Sequence, residues 1–385
     1  MSKSEIESKC YKFGRDYFGP FLYEFTKWIN KEISLNSLKK VFFLSRDGYM
    51  MIRAYEIVHR DSEAKYVYFS RHSLRFALIY RCTNYEESLQ YVTKEHYVSL
   101  SKLLKYYGFD EEERKKIFEK YNIRFDTDYL YDELRSNKQL KKIYEESADT
   151  IKARSLQQAD ILKKYLSYIG MNGNCAIVDI GWHGSMQYYL EKFAENENIE
   201  LTIHGLYLGI NPLYKTKGKM EGFLFDSDKA SMRKKVLCFL GGYEKLFQSQ
   251  EGSTIGYVVQ ENGDISPYYD RYEYEDRPDI VRRIIFWQKG AIDYITDSVN
   301  EVKKDSIYRL ISFGMNPPRW GIEMFKEFYV YDGDKQWFVS DKPFIKYGFN
   351  ELKHAISGSV WKTGFMKSLF RIPFPYFTIY KVIRK

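Results

Sequence analysis

Two polar segments, each directly after an apolar run, carry side chains that suit phosphate chemistry. The first is Ser45-Arg46-Asp47-Gly48, which follows Val41-Phe42-Phe43-Leu44. The second is Asp179-Ile180-Gly181-Trp182-His183-Gly184-Ser185, which follows Cys175-Ala176-Ile177-Val178. If both apolar runs are parallel strands of one sheet, the two segments lie at the edge where open α/β sheets bind their ligands.

The second segment has the composition of an anion cradle. Gly181 and Gly184 allow backbone N–H groups to approach a ligand closely, and a helix that starts here favours phosphate. Ser185 can cap that helix and offer a hydroxyl, while Asp179 at the strand end can hold ribose hydroxyls or a cation. The alternative is an ordinary strand–helix turn. His183 either touches the ligand or is structural.

The first segment offers Arg46, whose planar guanidinium matches phosphate oxygens. The alternative interpretation is a surface ion pair between Arg46 and Asp47. Arg71 and His72 follow a further apolar run and should face the same edge of the sheet. Two such loops on parallel strands favour one shared cleft over two unrelated turns.

Further acidic positions could take part in chemistry. Glu244 and Glu251 lie in a segment rich in glycine and aromatic residues, where either could be a general base for a hydroxyl nucleophile; an ordinary surface loop is the alternative. Asp226 and Asp228 form an acid-x-acid triplet, which holds a metal-bound nucleotide in many sugar-nucleotide glycosyltransferases. The sequence has no histidine or cysteine spacing typical of a metal site.

The elements that would position these residues alternate between strands and helices. Helical spacing predicts helices over 49–60, 186–196, 276–300 and 4–34, the last interrupted at Gly14 and Pro20. Apolar runs predict strands at 39–44, 66–69, 175–178 and 201–208, with edge strands at 221–225 and 254–260. Residues 84–170 are charge-dense and helical in period. This order predicts an α/β fold with a parallel sheet and a helical insertion or cap.

Composition places the chain among ordinary globular proteins. Of its 385 residues, 44% are hydrophobic and 29% are charged, which argues against disorder as the main state. The net charge of +8 favours a phosphate-bearing ligand or an anionic membrane surface. No dense basic run supports nucleic-acid binding. The four cysteines form no C-x-x-C pair, so we expect four reduced thiols in a cytoplasmic protein.

The last segment, from Val360 to Lys385, has a composition of its own. It contains six basic residues, no acidic residue and interleaved aromatic side chains. Basic residues near anionic lipid contribute about 1 kcal/mol each, and aromatic side chains prefer the interface. One interpretation is a membrane-surface anchor. The other is a segment packed on the domain with solvated lysines, since Pro373 and Pro375 prevent a single amphipathic helix.

Taken in chain order, these motifs resemble one set of bacterial proteins. The similarity rests on residues 44–49, 68–71, 178–187, 243–247 and 252–253. The proteins concerned are encoded with polysaccharide-assembly genes and are often labelled hydrolases of the haloacid dehalogenase type. In them a phosphatase domain precedes a domain that resembles a phosphoribosyltransferase. The motifs belong to this second domain, so we expect a stand-alone second domain without the phosphatase nucleophile.

The resemblance implies a glycan phosphoribosyltransferase, or ribofuranosyltransferase. It would move 5-phosphoribose from phosphoribosyl diphosphate to a hydroxyl of a surface polysaccharide, such as lipopolysaccharide or capsule, and release diphosphate. The implied organisation is a phosphoribosyltransferase-like α/β core over 1–83 and 171–260, a helical insertion over 84–170, a helical acceptor-side region over 261–359 and a basic-aromatic tail over 360–385. The core is thus followed by a mixed C-terminal region.

The resemblance also implies roles for individual residues. The donor-binding set is Ser45, Arg46, Asp47, Gly48, Arg71, Asp179, Gly181, Trp182, His183, Gly184, Ser185 and Gln187. The loop 181–185 would hold the 5-phosphate, Asp179 the ribose hydroxyls and 45–48 the diphosphate, with Arg71 assisting the leaving group. The implied catalytic residues are Asp179, Arg46 and Glu244. Mg²⁺ would be held mainly by substrate oxygens, with Asp47 or Asp179 as a further ligand.

Ordinary phosphoribosyltransferases have two adjacent acids before the phosphate loop, whereas here Val178 precedes Asp179. The implied partners are the donor, a lipid-linked glycan acceptor, an anionic membrane surface and a separate phosphatase, with no nucleic acid. The implied location is cytoplasmic, peripheral at the inner face of the membrane. Two rival hypotheses remain, a sugar-nucleotide-dependent glycosyltransferase that uses Asp226 and Asp228, and a non-catalytic polysaccharide-assembly scaffold. The general base stays open between Asp179, Glu244 and Glu251.

Overall fold

The computed structural model describes residues 3–59, 63–93, 97–125, 127–298, 306–332, 334–372 and 374–383. Its strands are β1 (Lys40–Leu44), β2 (Ala64–Val67), β3 (Tyr97–Ser99), β4 (Asp128–Leu130), β5 (Gly173–Trp182), β6 (Leu201–Ile210), β7 (Met220–Gly222), β8 (Thr254–Val259), β9 (Ile265–Tyr269), β10 (Tyr329–Asp332) and β11 (Asp334–Trp337). Its helices are α1 (Lys3–Phe13), α2 (Gly19–Leu35), α3 (Gly48–Val58), α4 (Arg71–Phe76), α5 (Tyr85–Ser88), α6 (Leu100–Tyr106), α7 (Glu111–Tyr121), α8 (Tyr131–Leu134), α9 (Lys138–Ile169), α10 (Ser185–Asn196), α11 (Ala230–Leu237), α12 (Leu240–Phe247), α13 (Pro278–Ser298), α14 (Ser306–Met315), α15 (Arg319–Met324), α16 (Phe349–Gly358), α17 (Lys362–Phe370) and α18 (Tyr376–Ile383). A π-helical turn occupies Gly14–Phe18, and 3₁₀ turns occupy Ile79–Arg81, Leu89–Tyr91 and Phe344–Lys346.

Five strands form one parallel sheet in the order β2-β1-β5-β6-β7. The chain passes from β1 outward to β2, then returns to the other side of β1, where β5, β6 and β7 follow in turn. This arrangement confirms the predicted α/β class with a parallel sheet. Because the strand order reverses between β1 and β5, the carboxyl ends of these two strands form the topological switch point of the sheet.

The central strands β1, β5 and β6 are buried on both faces, which explains why they are mainly apolar. Val41 and Phe43 of β1 pack on one face with residues of α2, α3 and α13. Phe42 and Leu44 pack on the other face with residues of α4, α9 and α10. The sheet is therefore the middle layer of three. All four cysteines are buried and free.

The N-terminal helical region departs from a regular α-helix at Gly14, as predicted, but Pro20 does not interrupt it. α1 ends at Phe13, the π-helical turn begins at Gly14, and Pro20 lies in the first turn of α2. A Cβ on Gly14 would lie 1.9 Å from the carbonyl oxygen of Trp287, so glycine permits the close contact with α13. Phe18 and Gly19 keep right-handed helical φ and ψ angles, so the chain continues as a helix through the turn into α2.

Residues 84–170 are mainly helical, as predicted, but they include a hairpin that the sequence did not reveal. β3 pairs antiparallel with β4 over three residues each. Strands this short carry no alternation that stands out in a charged, helical background. The insertion ends with α9, whose 32 residues run from the capping side chain of Asn137 to Gly170 in the left-handed conformation.

β5 differs from the prediction in a way that affects the site. The sequence predicts a strand over 175–178 followed by a loop, whereas β5 pairs with β6 as far as Trp182. Asp179 therefore lies within the strand, opposite Tyr207. The predicted edge strand at 221–225 corresponds to β7 at the sheet edge. The strand predicted at 254–260 is β8, which pairs with β9 in a separate antiparallel hairpin.

The last segment is divided between core and surface. Trp361 is fully buried, and its indole N–H donates to the carbonyl oxygen of Gly314 over 2.9 Å. By contrast, Ile372 and Phe374 are exposed. The first part of the basic-aromatic segment thus belongs to the folded domain. Within the described residues, no helix has the length and apolar character needed to cross a membrane.

Candidate active site

The candidate site lies at the switch point between β1 and β5. Phe43 of β1 is the register partner of Val178 of β5, so the chain leaves β1 beside Asp179. On the other side of β1, β2 leads through a short loop to Arg71, the first residue of α4. The fold thus brings 45–48, Arg71 and 179–184 to one edge of the sheet, as the sequence predicts.

The loop after β1 is anchored to β2. The backbone N–H of Ser45 donates to the carbonyl oxygen of Val67 over 2.8 Å. α3 begins at Gly48, where a Cβ would lie 2.8 Å from the carbonyl carbon of Phe43. Glycine therefore lets the loop turn tightly back over the end of β1. The peptide bond between Ser45 and Arg46 is cis.

Arg46 is held by partners within the chain rather than by Asp47. Its Nη1 donates to Glu273 Oε2 over 2.7 Å, and its Nη2 donates to Glu273 Oε1 over 3.3 Å. Nη1 also donates to the carbonyl oxygen of Glu251 over 3.0 Å. Lys245, which is 1% exposed, forms a second ion pair with Glu273. The Arg46–Asp47 surface pair considered from the sequence is replaced by this buried network.

Glu273 is a site residue that sequence reasoning missed. Burial alone would raise its pKa, but the charges of Lys245 and Arg46 hold the pKa well below the ordinary value. Burial lowers the pKa of Lys245, and Glu273 opposes that change. Glu273 is therefore an anion that keeps two cations together under the β1 loop. No local pattern marks Glu273, because its cationic partners Arg46 and Lys245 lie 227 and 28 residues away in the chain.

Asp47, Asp179 and Glu244 form a carboxylate cluster. Burial raises the pKa of Asp47 well above its ordinary value, and the charges of Asp179 and Glu244 raise it further. Burial raises the pKa of Asp179 to about 6, opposed by the backbone N–H groups of Ile180 and Gly181 and reinforced by Glu244. Burial also raises the pKa of Glu244. Buried, mutually repelling acids of this kind are typical of functional sites.

Arg71 supplies positive charge to the carboxylate cluster from the β2 side. Its charge lowers the pKa of both Asp179 and Glu244, which places it close to each carboxylate. The side chain is exposed, and it forms no hydrogen bond or ion pair with any residue that the structure describes. Its guanidinium is therefore available to an anionic ligand.

The end of β5 provides an unusual backbone turn. Gly181, Trp182 and Gly184 have positive φ angles of 94°, 61° and 75°. A Cβ on Gly181 would lie 2.6 Å from the ring of Tyr207, so the position needs glycine for space as well as conformation. The indole N–H of Trp182 donates to Glu244 Oε1 over 3.4 Å, which links the turn to the carboxylate cluster.

His183 and Ser185 flank Gly184 at the start of α10. His183 is exposed, with Nδ1 3.2 Å from the carbonyl oxygen of Asn211. Gly184 occupies the N-cap position, and no side chain caps the helix there. The prediction that Ser185 caps α10 is therefore wrong. The helix begins one residue earlier than a serine cap requires, because Gly184 adopts the left-handed conformation that serine disfavours.

Gln187 lies in the core behind the site. Its amide nitrogen donates to Glu191 Oε1 and to the carbonyl oxygen of Ile203, both over 3.0 Å. Its amide oxygen accepts from the hydroxyl of Tyr207 over 2.9 Å. Glu191 in turn accepts from the backbone N–H of Gly218. The structure thus gives Gln187 a place in the support of β6, away from the edge where the other predicted residues meet.

The remaining acids have different surroundings. Glu251 Oε1 accepts from the hydroxyls of Tyr66 over 2.9 Å and Ser249 over 2.8 Å, so its side chain is fixed beside the Arg46 network. Asp226 and Asp228 lie in a turn after β7, where Asp226 Oδ1 accepts from the backbone N–H of Asp228 over 3.2 Å. Asp228 is exposed and Asp226 half-buried.

Asp47 and Asp179 are the side chains of the carboxylate cluster that could contribute ligands to a divalent cation. No group of three or more metal-ligating side chains is arranged as a complete metal site within the described ranges. Asp47 and Asp179 nevertheless repel each other, and a cation between them would relieve that repulsion. Mg²⁺ commonly takes one or two carboxylates together with substrate phosphates.

No protein-family model and no curated protein matches this chain. The function must therefore be inferred from the side chains that the fold brings together. These are a carboxylate cluster, an available arginine and a glycine-containing turn at the switch point of a parallel sheet.

Proposed function

We propose that this protein is a glycan phosphoribosyltransferase with a phosphoribosyltransferase-like core. It would move 5-phosphoribose from phosphoribosyl diphosphate to a hydroxyl of a surface-polysaccharide acceptor. The observation that carries the proposal is the meeting of Arg71, the carboxylate cluster and the Gly181–Gly184 turn at the switch point, where open α/β sheets bind ligands. The donor combines phosphates, which a guanidinium binds, with ribose hydroxyls, which a carboxylate binds.

Different residues bind different parts of the donor. Asp179 accepts hydrogen bonds from the ribose hydroxyls, and the backbone of the 181–185 turn holds the 5-phosphate. Arg71 contacts the diphosphate from the β2 side, and the loop 45–48 approaches it from the β1 side. Arg46 remains bonded to Glu273 and fixes that loop. Bound Mg²⁺ would neutralise charge on the diphosphate, with Asp47 or Asp179 among its ligands.

The transfer exchanges one bond at C1 of the ribose. The bond from C1 to the diphosphate oxygen breaks, and its electron pair leaves with the diphosphate. The oxygen of the acceptor hydroxyl bonds to C1, and its proton passes to a carboxylate. Asp179, Glu244 and Glu251 remain the candidates for this base, and a pKa of about 6 suits Asp179 to exchange a proton near neutral pH. Catalysis then depends on positioning and charge rather than on a covalent nucleophile.

Calorimetric titration of the full chain with phosphoribosyl diphosphate and Mg²⁺ tests the proposal. Arg71→Gln and Asp179→Asn should each weaken binding at least about tenfold, because a hydrogen bond to a charged group contributes about 1.5–3 kcal/mol. Asp226→Asn is the matched control and should bind like the wild type. UDP-glucose binding that depends on Asp226, without donor binding, would favour the sugar-nucleotide enzyme. A folded wild type that binds neither compound would favour the scaffold.

We also propose that the protein works at an anionic membrane surface. Ile345 and Phe349 are 88% and 84% exposed. The ring of Phe344 lies 5.3 Å from that of Phe370, which joins this segment to the exposed residues after α17. We call these residues the 344–374 surface: Phe344, Ile345, Lys346, Phe349, Arg371, Ile372 and Phe374. Its mixture of apolar and basic side chains suits a lipid interface better than solvent.

Co-sedimentation with phosphatidylglycerol-containing vesicles tests this second proposal. The double variant Ile345→Ser/Phe349→Ser should bind less, since each buried apolar side chain contributes about 1.5–3 kcal/mol. Leu35→Ser/Leu213→Ser changes two similarly exposed apolar residues elsewhere and should bind like the wild type. Equal binding by both double variants would contradict the proposed surface. If the wild type binds pure phosphatidylcholine vesicles as well as it binds those that contain phosphatidylglycerol, the proposed role of the basic residues is contradicted.

A further inference from the structure

A cleft lies between the helical insertion and the β8–β9 hairpin. It encloses about 490 Å³, with apolar walls from Phe76, Phe109, Ile255 and Tyr268. Binding sites for small molecules span roughly 300–1,000 Å³ and combine apolar or aromatic walls with a few polar groups. This space, here called the insertion cleft, has the size and lining of such a site.

Two of the three cations in the walls of the insertion cleft are paired with acids: Lys105 with Asp270, and Arg154 with Glu113. The third, Arg114, donates to Ser101, and the acids Asp110 and Glu111 also line the cleft. The two nitrogens of Arg154 donate to the two oxygens of Glu113 over 2.8 and 2.5 Å. A phosphate or carboxylate would have to displace one of these partners, which is costly for a charge that is partly buried. The insertion cleft therefore favours an uncharged ligand.

Three polar side chains of the insertion cleft are free to bind an uncharged ligand. His72, Gln157 and Tyr268 line it, and none of their side chains hydrogen-bonds to another residue in the described part of the chain. The imidazole of His72 lies 6.0 Å from the ring of Phe76 and 6.1 Å from that of Tyr106. Burial lowers the pKa of His72 to about 4, so the neutral ring offers one donor and one acceptor.

The start of α4 links the insertion cleft to the candidate active site. His72 in its wall follows Arg71, whose charge acts on Asp179 and Glu244. We propose that the insertion cleft binds an uncharged sugar unit of the glycan acceptor; this inference rests on the function proposed above. Aromatic rings such as Tyr268 suit the C–H face of a sugar, and His72 and Gln157 suit its hydroxyls.

In this arrangement one hydroxyl of the bound sugar reaches C1 of the donor at the switch point. Its oxygen bonds to C1 while the C1–diphosphate bond breaks with its electron pair on the diphosphate. The hydroxyl proton passes to the carboxylate cluster. The insertion cleft itself takes no part in bond making, and its residues position the acceptor.

Saturation-transfer NMR on the full chain tests the inference with the methyl α-pyranosides of glucose, galactose and mannose. Two further compounds are compared with these neutral glycosides: glucuronate, which is a charged sugar, and adenosine, which carries an aromatic base. Gln157→Trp should fill the insertion cleft and weaken binding of the neutral glycosides at least about tenfold. Leu156→Trp places the same side chain on the neighbouring exposed position of α9, outside the cleft lining, and should leave binding unchanged.

Calorimetry with phosphoribosyl diphosphate and Mg²⁺ separates this inference from the proposed function. We expect Gln157→Trp to bind the donor like the wild type while losing the glycosides. Binding of a glycoside without binding of donor would overturn the phosphoribosyltransferase and retain a sugar site. The sugar site is overturned if no neutral glycoside binds, if Gln157→Trp leaves binding intact, or if glucuronate or adenosine binds more tightly.

Discussion

Replacing Asp179 by asparagine should stabilise the unliganded fold above neutral pH while it weakens donor binding. Burial, reinforced by Glu244, raises the pKa of Asp179 from 3.8 to about 6. The folded chain therefore keeps this proton up to about pH 6, whereas the unfolded chain releases it near 3.8. Between these values the folded state binds more protons, so the free energy of unfolding falls as the pH rises. Asparagine does not ionise and avoids this loss.

The magnitude follows from the two pKa values. Their difference, 6 − 3.8 = 2.2, corresponds to about 3 kcal/mol at 1.36 kcal/mol per pKa unit. Two features reduce the expected gain. Asp179 is half-buried, so solvent screens part of the repulsion, and the N–H groups of Ile180 and Gly181 bind an amide oxygen less strongly than a carboxylate. We therefore expect a gain of about 1–2 kcal/mol at alkaline pH.

Urea unfolding of wild type and Asp179→Asn without ligand, followed by circular dichroism between about pH 4.5 and 8, measures this difference. The gain should be smallest at the acidic end and grow through pH 6. The control Asp226→Asn lies in the turn after β7, where the asparagine oxygen can still accept from the N–H of Asp228, and should stay within about 0.5 kcal/mol of wild type at every pH. A variant that is less stable than wild type at pH 8, or a difference that does not change with pH, would refute the electrostatic reasoning.

Three further substitutions probe the supports of the site and the C-terminal segment. Glu273→Gln leaves the buried Lys245 and the half-buried Arg46 without their anion and should lower the free energy of unfolding by about 3 kcal/mol in urea titrations, whereas the exposed Glu275→Gln should change little. Gly181→Ala should lose donor binding in calorimetry and melt lower than Gly173→Ala, because both positions have positive φ but a Cβ meets a tyrosine ring only at Gly181. Trp361→Ala should lower the free energy of unfolding by about 3–5 kcal/mol in urea, because the indole is fully buried.

The meeting of the two polar segments could be predicted because each is local. An apolar run followed by a polar loop is visible within ten residues, and the carboxyl ends of parallel strands share an edge whichever strands lie between them. The extent of β5 was harder to predict. Gly181 and Gly184 are typical of a loop, yet Gly181 pairs with Gly209 of β6 inside the strand.

The buried support of the site could not be predicted from local pattern. Arg46 and Glu273 are 227 residues apart in the chain, and no sequence motif contains both of them. The pairing arises because α12 and the segment after β9 pack over the β1 loop. Similarly, Gln187 lies in the segment 178–187, next to the turn at the end of β5. Its position in α10 nevertheless directs its side chain inward to Tyr207. A residue close in sequence to a binding loop can therefore face either the candidate site or the core.

The two arginines that the sequence singled out have different roles because their partners differ. Arg46 donates to both oxygens of Glu273 and to a backbone carbonyl, so ligand binding through its bonded edge would require breaking a buried ion pair. Arg71 has no such partner among the described residues and already acts on Asp179. The positive charge that a diphosphate would meet first therefore comes from the β2 side. The β1 loop contributes its shape and the charge of Arg46, which Glu273 holds in place beside the second cation, Lys245.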